Sequence, residues 1–152
     1  MNVDFYFYEG KSLLSKLIRW RTYSIFSHVA IGIKNCIYEA WVGNGCSGVV
    51  KSNNPLTFHK ANTPIVKVSI NMKNLDDWKD FLEMQVGKKY DFFAIFNFLL
   101  NKKGNNRKKW FCSELANTFF EYEIKEKIEE RLVSPQAFYD KITTYKLMKD
   151  NI

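Results

Sequence analysis

Ser27-His28-Val29-Ala30-Ile31-Gly32-Ile33-Lys34-Asn35-Cys36-Ile37-Tyr38-Glu39-Ala40-Trp41-Val42 holds two apolar runs parted by the polar pair Lys34-Asn35. Short β-branched and aromatic runs separated by two turn residues read as an antiparallel hairpin. With a two-residue turn, Ile33 faces Cys36, and pairs run outward as Gly32 with Ile37, Ile31 with Tyr38 and Ala30 with Glu39. Side chains alternate faces along a strand. His28, Ala30 and Gly32 therefore share one face with Ile37, Glu39 and Trp41. Glu39 lies diagonal to His28 at a Cβ separation of roughly 7 Å, within reach for side chains of that length. A slip of one residue would put the two on opposite faces.

Working outward, Val3, Phe5 and Phe7 alternate with Asp4, Tyr6 and Tyr8, which predicts a strand ending at Gly10. Ser12 is placed to cap a short helix with Leu13, Leu14, Leu17 and Ile18 on one face and Lys16 and Arg19 outside. Gly43 to Gly48 reads as a glycine-rich loop holding Cys46, and Asn53 to Pro64 as a polar segment holding His59. Ile65 to Ile70 reads as a strand. Leu75, Trp78, Leu82 and Val86 mark a helix with Asn74 as cap and Gly87 as stop. Asp91 is placed to cap a further helix through Leu100, and Asn101 to Lys109 is a loop. Phe111, Leu115, Phe119 and Tyr122 recur at helical spacing, so Cys112 stands at a helix N-terminus. Glu121 to Arg131 reads as an exposed charged stretch, Ser134-Pro135 as a helix start, and Thr143 to Met148 as a closing strand. Strands first and helices later make residues 1–152 a single α+β domain with a mostly antiparallel sheet packed against helices.

Composition narrows the function classes. A hydrophobic fraction of 46% with 16% aromatics excludes a disordered chain. The net charge of +7 suits an anionic partner. It concentrates in two runs, Lys102 to Lys109 and Lys11 to Arg21, for which plain solvation is the competing reading. No nucleic-acid recognition motif accompanies the charge, which argues against that partner. Three cysteines, at 36, 46 and 112, with no Cys-x-x-Cys pair, argue against a disulfide framework and a structural zinc site. Met1 to Tyr8 lacks the form of a signal peptide, and the apolar run Phe92 to Leu100 is too short to span a bilayer. A reducing, cytoplasmic-type compartment is the expectation, with no cofactor and no metal.

A thiol hydrolase needs a nucleophile whose thiolate is favoured, a histidine to share its proton and a polar group to orient that histidine. Cys112 at a helix start, His28 on a strand and Glu39 beside it supply one of each. Unpaired N–H groups at a helix N-terminus favour a thiolate but contribute only about 0.3–2 kcal/mol, so an imidazolium partner must supply the rest. The bland alternatives are an inert buried cysteine, a half-buried strand histidine and a solvent-facing glutamate. His59 with Cys46 is a rival pair, both in irregular segments; Cys36 shares parity with Tyr38 and Ala40 and is assigned to the core.

The order of these pieces resembles the circularly permuted papain-like hydrolases related to NlpC, in particular their YiiX/YaeF-like amidase branch. The matching segments are Ser27-His28-Val29-Ala30, Tyr38-Glu39-Ala40, Gly87 with Tyr90-Asp91, Phe111-Cys112-Ser113-Glu114-Leu115 and Ser134-Pro135, from about residue 3 to 140. The resemblance implies a permuted papain-like fold with Cys112 as nucleophile, His28 as general base and Glu39 as the orienting group. It also implies hydrolysis of an amide or ester through an acyl-enzyme, an amide being the expected bond, and it carries over no substrate specificity. The substrate would be an amide- or ester-containing compound, anionic or lipid-linked. By analogy with acyl transfer, the Cys112 backbone N–H would serve an oxyanion hole. Tyr90 is a candidate for a substrate-side contact, with core packing the competing reading. A lipid-directed acyltransferase or phospholipase of the same fold, with peripheral membrane contact, is the alternative; those relatives carry a second histidine where Glu39 stands. A basic, non-catalytic binding protein is the third reading.

Overall fold

A computed structural model describes residues 2–43, 45–73, 75–91, 109–124 and 133–150. Strand β1 (Asn2–Tyr8) leads into helix α1 (Leu13–Thr22), then β2 (His28–Ile33), β3 (Cys36–Gly43), β4 (Cys46–Ser52) and β5 (Ile65–Asn71). Helix α2 (Leu75–Gln85) follows, with the short strands β6 (Lys89–Tyr90) and β7 (Lys109–Trp110). Helices α3 (Cys112–Ile124) and α4 (Pro135–Asp150) complete the described chain. The five long strands form one antiparallel sheet in the order β4-β3-β2-β1-β5, and β6 pairs with β7 in parallel. Among the described residues no helix is long and apolar enough to cross a membrane.

The hairpin register is the one its turn predicts: Ile31 pairs with Tyr38, Gly32 with Ile37 and Ile33 with Cys36. Lys34 and Asn35 both take positive φ, 46° and 67°. Left-handed residues at both central positions give the turn a twist that matches the strands it joins. The alternation then sorts the sheet's two faces. Val3, Phe5, Phe7, Val29, Ile31 and Tyr38 lie in the main core. There Phe5 meets Phe119, Phe120 and Phe138 edge-on, at centroid separations of 6.1, 6.3 and 5.3 Å. Tyr8, Ala30 and Ile37 form a smaller cluster with Tyr6 and Ile65. The space above Gly32 belongs to this cluster, since a Cβ built there would stand 2.7 Å from the Tyr6 ring.

Several elements differ from their sequence reading. Thr143 to Met148 is not a strand but the second half of the 16-residue α4. Phe138 and Ile142 are buried on the core at i, i+4 spacing, Tyr145 packs against it, and the Thr143 hydroxyl donates to the Tyr139 carbonyl one turn back. Tertiary burial of that stripe overrides the strand preference of Thr and Tyr. The start signal holds: the Ala137 N–H donates to Ser134 Oγ at 3.0 Å, with Pro135 in the first turn. The glycine-rich loop shrinks to a tight turn, because Cys46 opens strand β4. Lys109 leaves the predicted loop to pair with Lys89. Glu121 is buried rather than exposed, and bonds Lys141 at 2.7 Å. Tyr122, assigned to the buried face of α3, is exposed with its ring edge-on to Trp78. On α1 the predicted face splits: Ile18 is buried, Leu13 and Leu17 are not. Cys36 is half-buried and packs against the core. The predicted helix after Asp91, the Asn74 cap, residues 101–108 of the basic loop and residues 125–131 of the charged stretch lie outside the described residues.

Gly48 locks the Gly87–Lys88 turn onto the sheet. The Val49 N–H donates to the Lys88 carbonyl and the Gly87 N–H to the Val49 carbonyl, both at 2.8 Å. A Cβ on Gly48 would meet the Lys88 carbonyl oxygen at 2.4 Å, and its φ is +142°. Both backbone segments are fixed by these hydrogen bonds, so neither can yield cheaply. Gly48→Ala is expected to lower stability by about 1–3 kcal/mol, read as a reduced urea midpoint at unchanged m-value.

Candidate active site

Strand β2 brings His28 to the sheet's end, strand β3 brings Glu39, and the first turn of α3 brings Cys112. His28 Nε2 lies 2.7 Å from Glu39 Oε2, and Glu39 is 1% exposed. A carboxylate can only accept, so Nε2 carries the proton. The Cys112 sulfur lies near enough to the His28 ring to act on its charge. With Nε2 given to Glu39, Nδ1 is the ring nitrogen left for a second partner. The fold thus brings the three residues read from the sequence together.

Burial disfavours the imidazolium, but the charge and hydrogen bond of the Cys112 sulfur, then those of Glu39, push His28 up to about 10. Burial likewise works against the Glu39 carboxylate, and the hydrogen bonds and charge of His28 and His59 bring it down to about 2. The arrangement favours a protonated His28 ring held by a buried Glu39 carboxylate.

His59, the rival base read with Cys46, has Glu39 as its partner instead. Its Nε2 donates to the same Oε2 at 3.0 Å. Its ring stacks on Tyr8 at 3.8 Å and 7°, and Tyr8 in turn donates to the Pro55 carbonyl at 2.8 Å. The loop after β4 is thereby tied across the sheet's end, and Glu39 is shared by two rings. Burial lowers the His59 pKa first, against the pull of the carboxylate. Cys46 is exposed at the start of β4. No local pattern marks His59, because it lies in a loop 20 residues from its partner; only its being the second of two histidines singles it out. His59→Ala is expected to lower stability by about 1.5–3 kcal/mol, the worth of a hydrogen bond to a charged group. His59→Gln should recover part of it, which urea denaturation of both variants would measure.

His28, Glu39 and His59 each offer a ligand atom within 4.8 Å of the others, so these three could hold a metal ion. Glu39 Oε1 is buried with no hydrogen-bond partner among the described residues.

Around Cys112, the Phe111 N–H donates to Glu114 Oε2 at 3.4 Å, a side chain reaching back one turn to cap its own helix. Burial, opposed by that N–H and reinforced by Asp91, raises Glu114 to about 7. Cys112 is the first residue of α3, so its N–H has no carbonyl one turn back to bond. Tyr90 is 5% exposed, meets Phe111 edge-on at 6.2 Å, and is raised by burial and then by the Cys112 charge. It is a core side chain beside the sulfur and also a wall of the neighbouring cavity. That cavity, about 340 Å³, runs from His28, His59 and Tyr90 to Trp41, Phe58 and the inner side of α1. Cys112 itself is 2% exposed, and the cavity meets the site through His28 and Tyr90. No family model matches the chain, and no curated protein matches it.

Proposed function

We propose that the protein is a cysteine hydrolase that cleaves an amide through a covalent acyl-enzyme, with the permuted papain-like arrangement that its ordered segments resemble. The observation that carries this reading is the single His28 ring bonded to Glu39 Oε2 with the Cys112 sulfur near enough to act on its charge. In this reading the Cys112 thiolate attacks the substrate carbonyl carbon, and the carbonyl π electrons move to oxygen. The Cys112 N–H, free of helical bonding by its position, donates to that oxyanion. His28 then gives its proton to the leaving amine as the C–N bond breaks. In the second half the neutral ring takes a proton from water, hydroxide attacks the thioester, and the thiolate leaves. Glu39 keeps the ring oriented and balances its charge in both halves.

Competition between cysteines tests the reading. Cys46 is exposed and Cys112 is buried, so accessibility alone makes Cys46 the faster to alkylate. Under limiting iodoacetamide near neutral pH, peptide mapping is expected to find Cys112 modified first. An activated ester such as p-nitrophenyl acetate should leave a transient acetyl group on Cys112. Alkylation in the order of exposure, with no acyl adduct, would overturn the reading.

A further inference from the structure

Helix α1 presents large apolar side chains to solvent. Leu13 is 86%, Leu17 41% and Trp20 72% exposed. These i, i+4, i+7 positions fall within about 60° of arc, a single stripe along the helix. Lys16 and Arg21 lie on either side of it by the same spacing. The patch continues past the helix end through Tyr23 at 95% and Ile25 at 55% exposure. Tyr23 closes the helix in the left-handed region at φ 50°, donating its N–H back to the helix's last carbonyls. Glycine is the ordinary occupant of that position, and a β-carbon there costs energy. Tyr23 takes that costly conformation while its side chain stands in solvent. The inner side of the same helix, Ser12, Leu14, Ser15 and Ile18, lines the cavity that ends at His28. Patch and cavity are therefore two sides of one helix.

Exposed Leu, Trp and Tyr along one stripe with basic side chains flanking it match an element lying in a bilayer interface. The apolar tips enter the acyl boundary, the aromatics sit at headgroup level, and the cations reach anionic phosphates. The +7 net charge points the same way. A second copy fits less well, because a two-fold contact through this stripe would set basic flank against basic flank.

We propose that α1, with Tyr23 and Ile25, is a docking surface for an anionic lipid bilayer, and that the cavity receives an amide- or ester-bearing substrate presented at that surface. The substrate half rests on the hydrolase reading above; the docking half stands on its own. Co-sedimentation with vesicles of equimolar phosphatidylserine and phosphatidylcholine tests it. The wild-type chain is expected to bind these vesicles, to bind pure phosphatidylcholine far less, and to release as salt rises from roughly 0.1 to 1 M. The triple variant Leu13→Ser/Leu17→Ser/Trp20→Ser changes exposed side chains only and should bind about tenfold or more weakly. Lys16→Glu/Arg21→Glu should lose the preference for phosphatidylserine. Wild-type protein that stays in the supernatant, or a triple variant that binds as wild type does, overturns the docking surface. So does a wild-type dimer that the triple variant converts to monomer with no vesicle binding, which would make the patch a contact between copies. Vesicle binding without any acylation of Cys112 would sink the hydrolase reading and leave the docking surface standing.

Discussion

His28→Ala is expected to slow acylation of Cys112, and any turnover, by about 10²–10⁴-fold near neutral pH. Two contributions vanish together. The ring that takes and returns the proton is gone, and so is the buried cation whose neighbour is the Cys112 sulfur. A helix N-terminus alone contributes too little to keep the thiolate. Because the residues act as a unit, His28→Ala/Cys112→Ala should be no worse than Cys112→Ala alone. The measurement is the alkylation rate of Cys112 against that of Cys46 in the same sample, which cancels differences in reagent. Glu39 keeps its bond to His59 in the variant, which should preserve the local fold; a thermal melt checks this. Equal Cys112 rates in wild type and His28→Ala would remove His28 from the mechanism.

The second large effect concerns Glu39 and pH. Its carboxylate falls from 4.5 to about 2 in the folded chain. A depressed acid stabilises the fold above its unfolded value, and that contribution is lost as pH falls through the folded value. His28 rises from 6.5 to about 10. A raised base stabilises the fold below its unfolded value, and that contribution is lost as pH climbs through the folded value. Both are complete only between about pH 4.5 and 6.5, so the stability these two groups contribute should peak there and decline toward pH 10 and pH 2. Glu39→Ala leaves the imidazolium buried without its anion and is expected to cost about 3–5 kcal/mol within that window. Glu39→Gln keeps an acceptor and should cost less. Urea midpoints across pH check both claims. A Glu39→Ala curve parallel to wild type at every pH would show that the shifts do not couple to folding.

The hairpin explains how far local reading reaches. Lys34-Asn35 leaves only two residues for the turn, and a two-residue turn admits one register. That register places His28 and Glu39 on one face before any tertiary contact is known. Ser134-Pro135 and the helix start at Cys112 were legible for the same reason, because capping and periodicity are set within a few residues. Thr143 to Met148 was not legible, since its helical state comes from core contacts of Phe138, Ile142 and Tyr145 that outweigh local preference. Glu121 is buried because Lys141, one helix away, meets it. Leu13 and Leu17 show the opposite failure: they share a helical face with Leu14 and Ile18, and only packing decides which part of that face is covered.

Local chemistry in the sequence determined the α+β class, the antiparallel hairpin and a histidine–glutamate pair fixed by a turn. Tertiary structure alone decided that His59 completes the pair from a distant loop, held there by its stack on Tyr8. It alone brought Cys112 to the His28 ring. The physical reason is range. Turns, caps and periodicity act over a few residues, whereas a buried carboxylate takes its partners from wherever the fold delivers a donor.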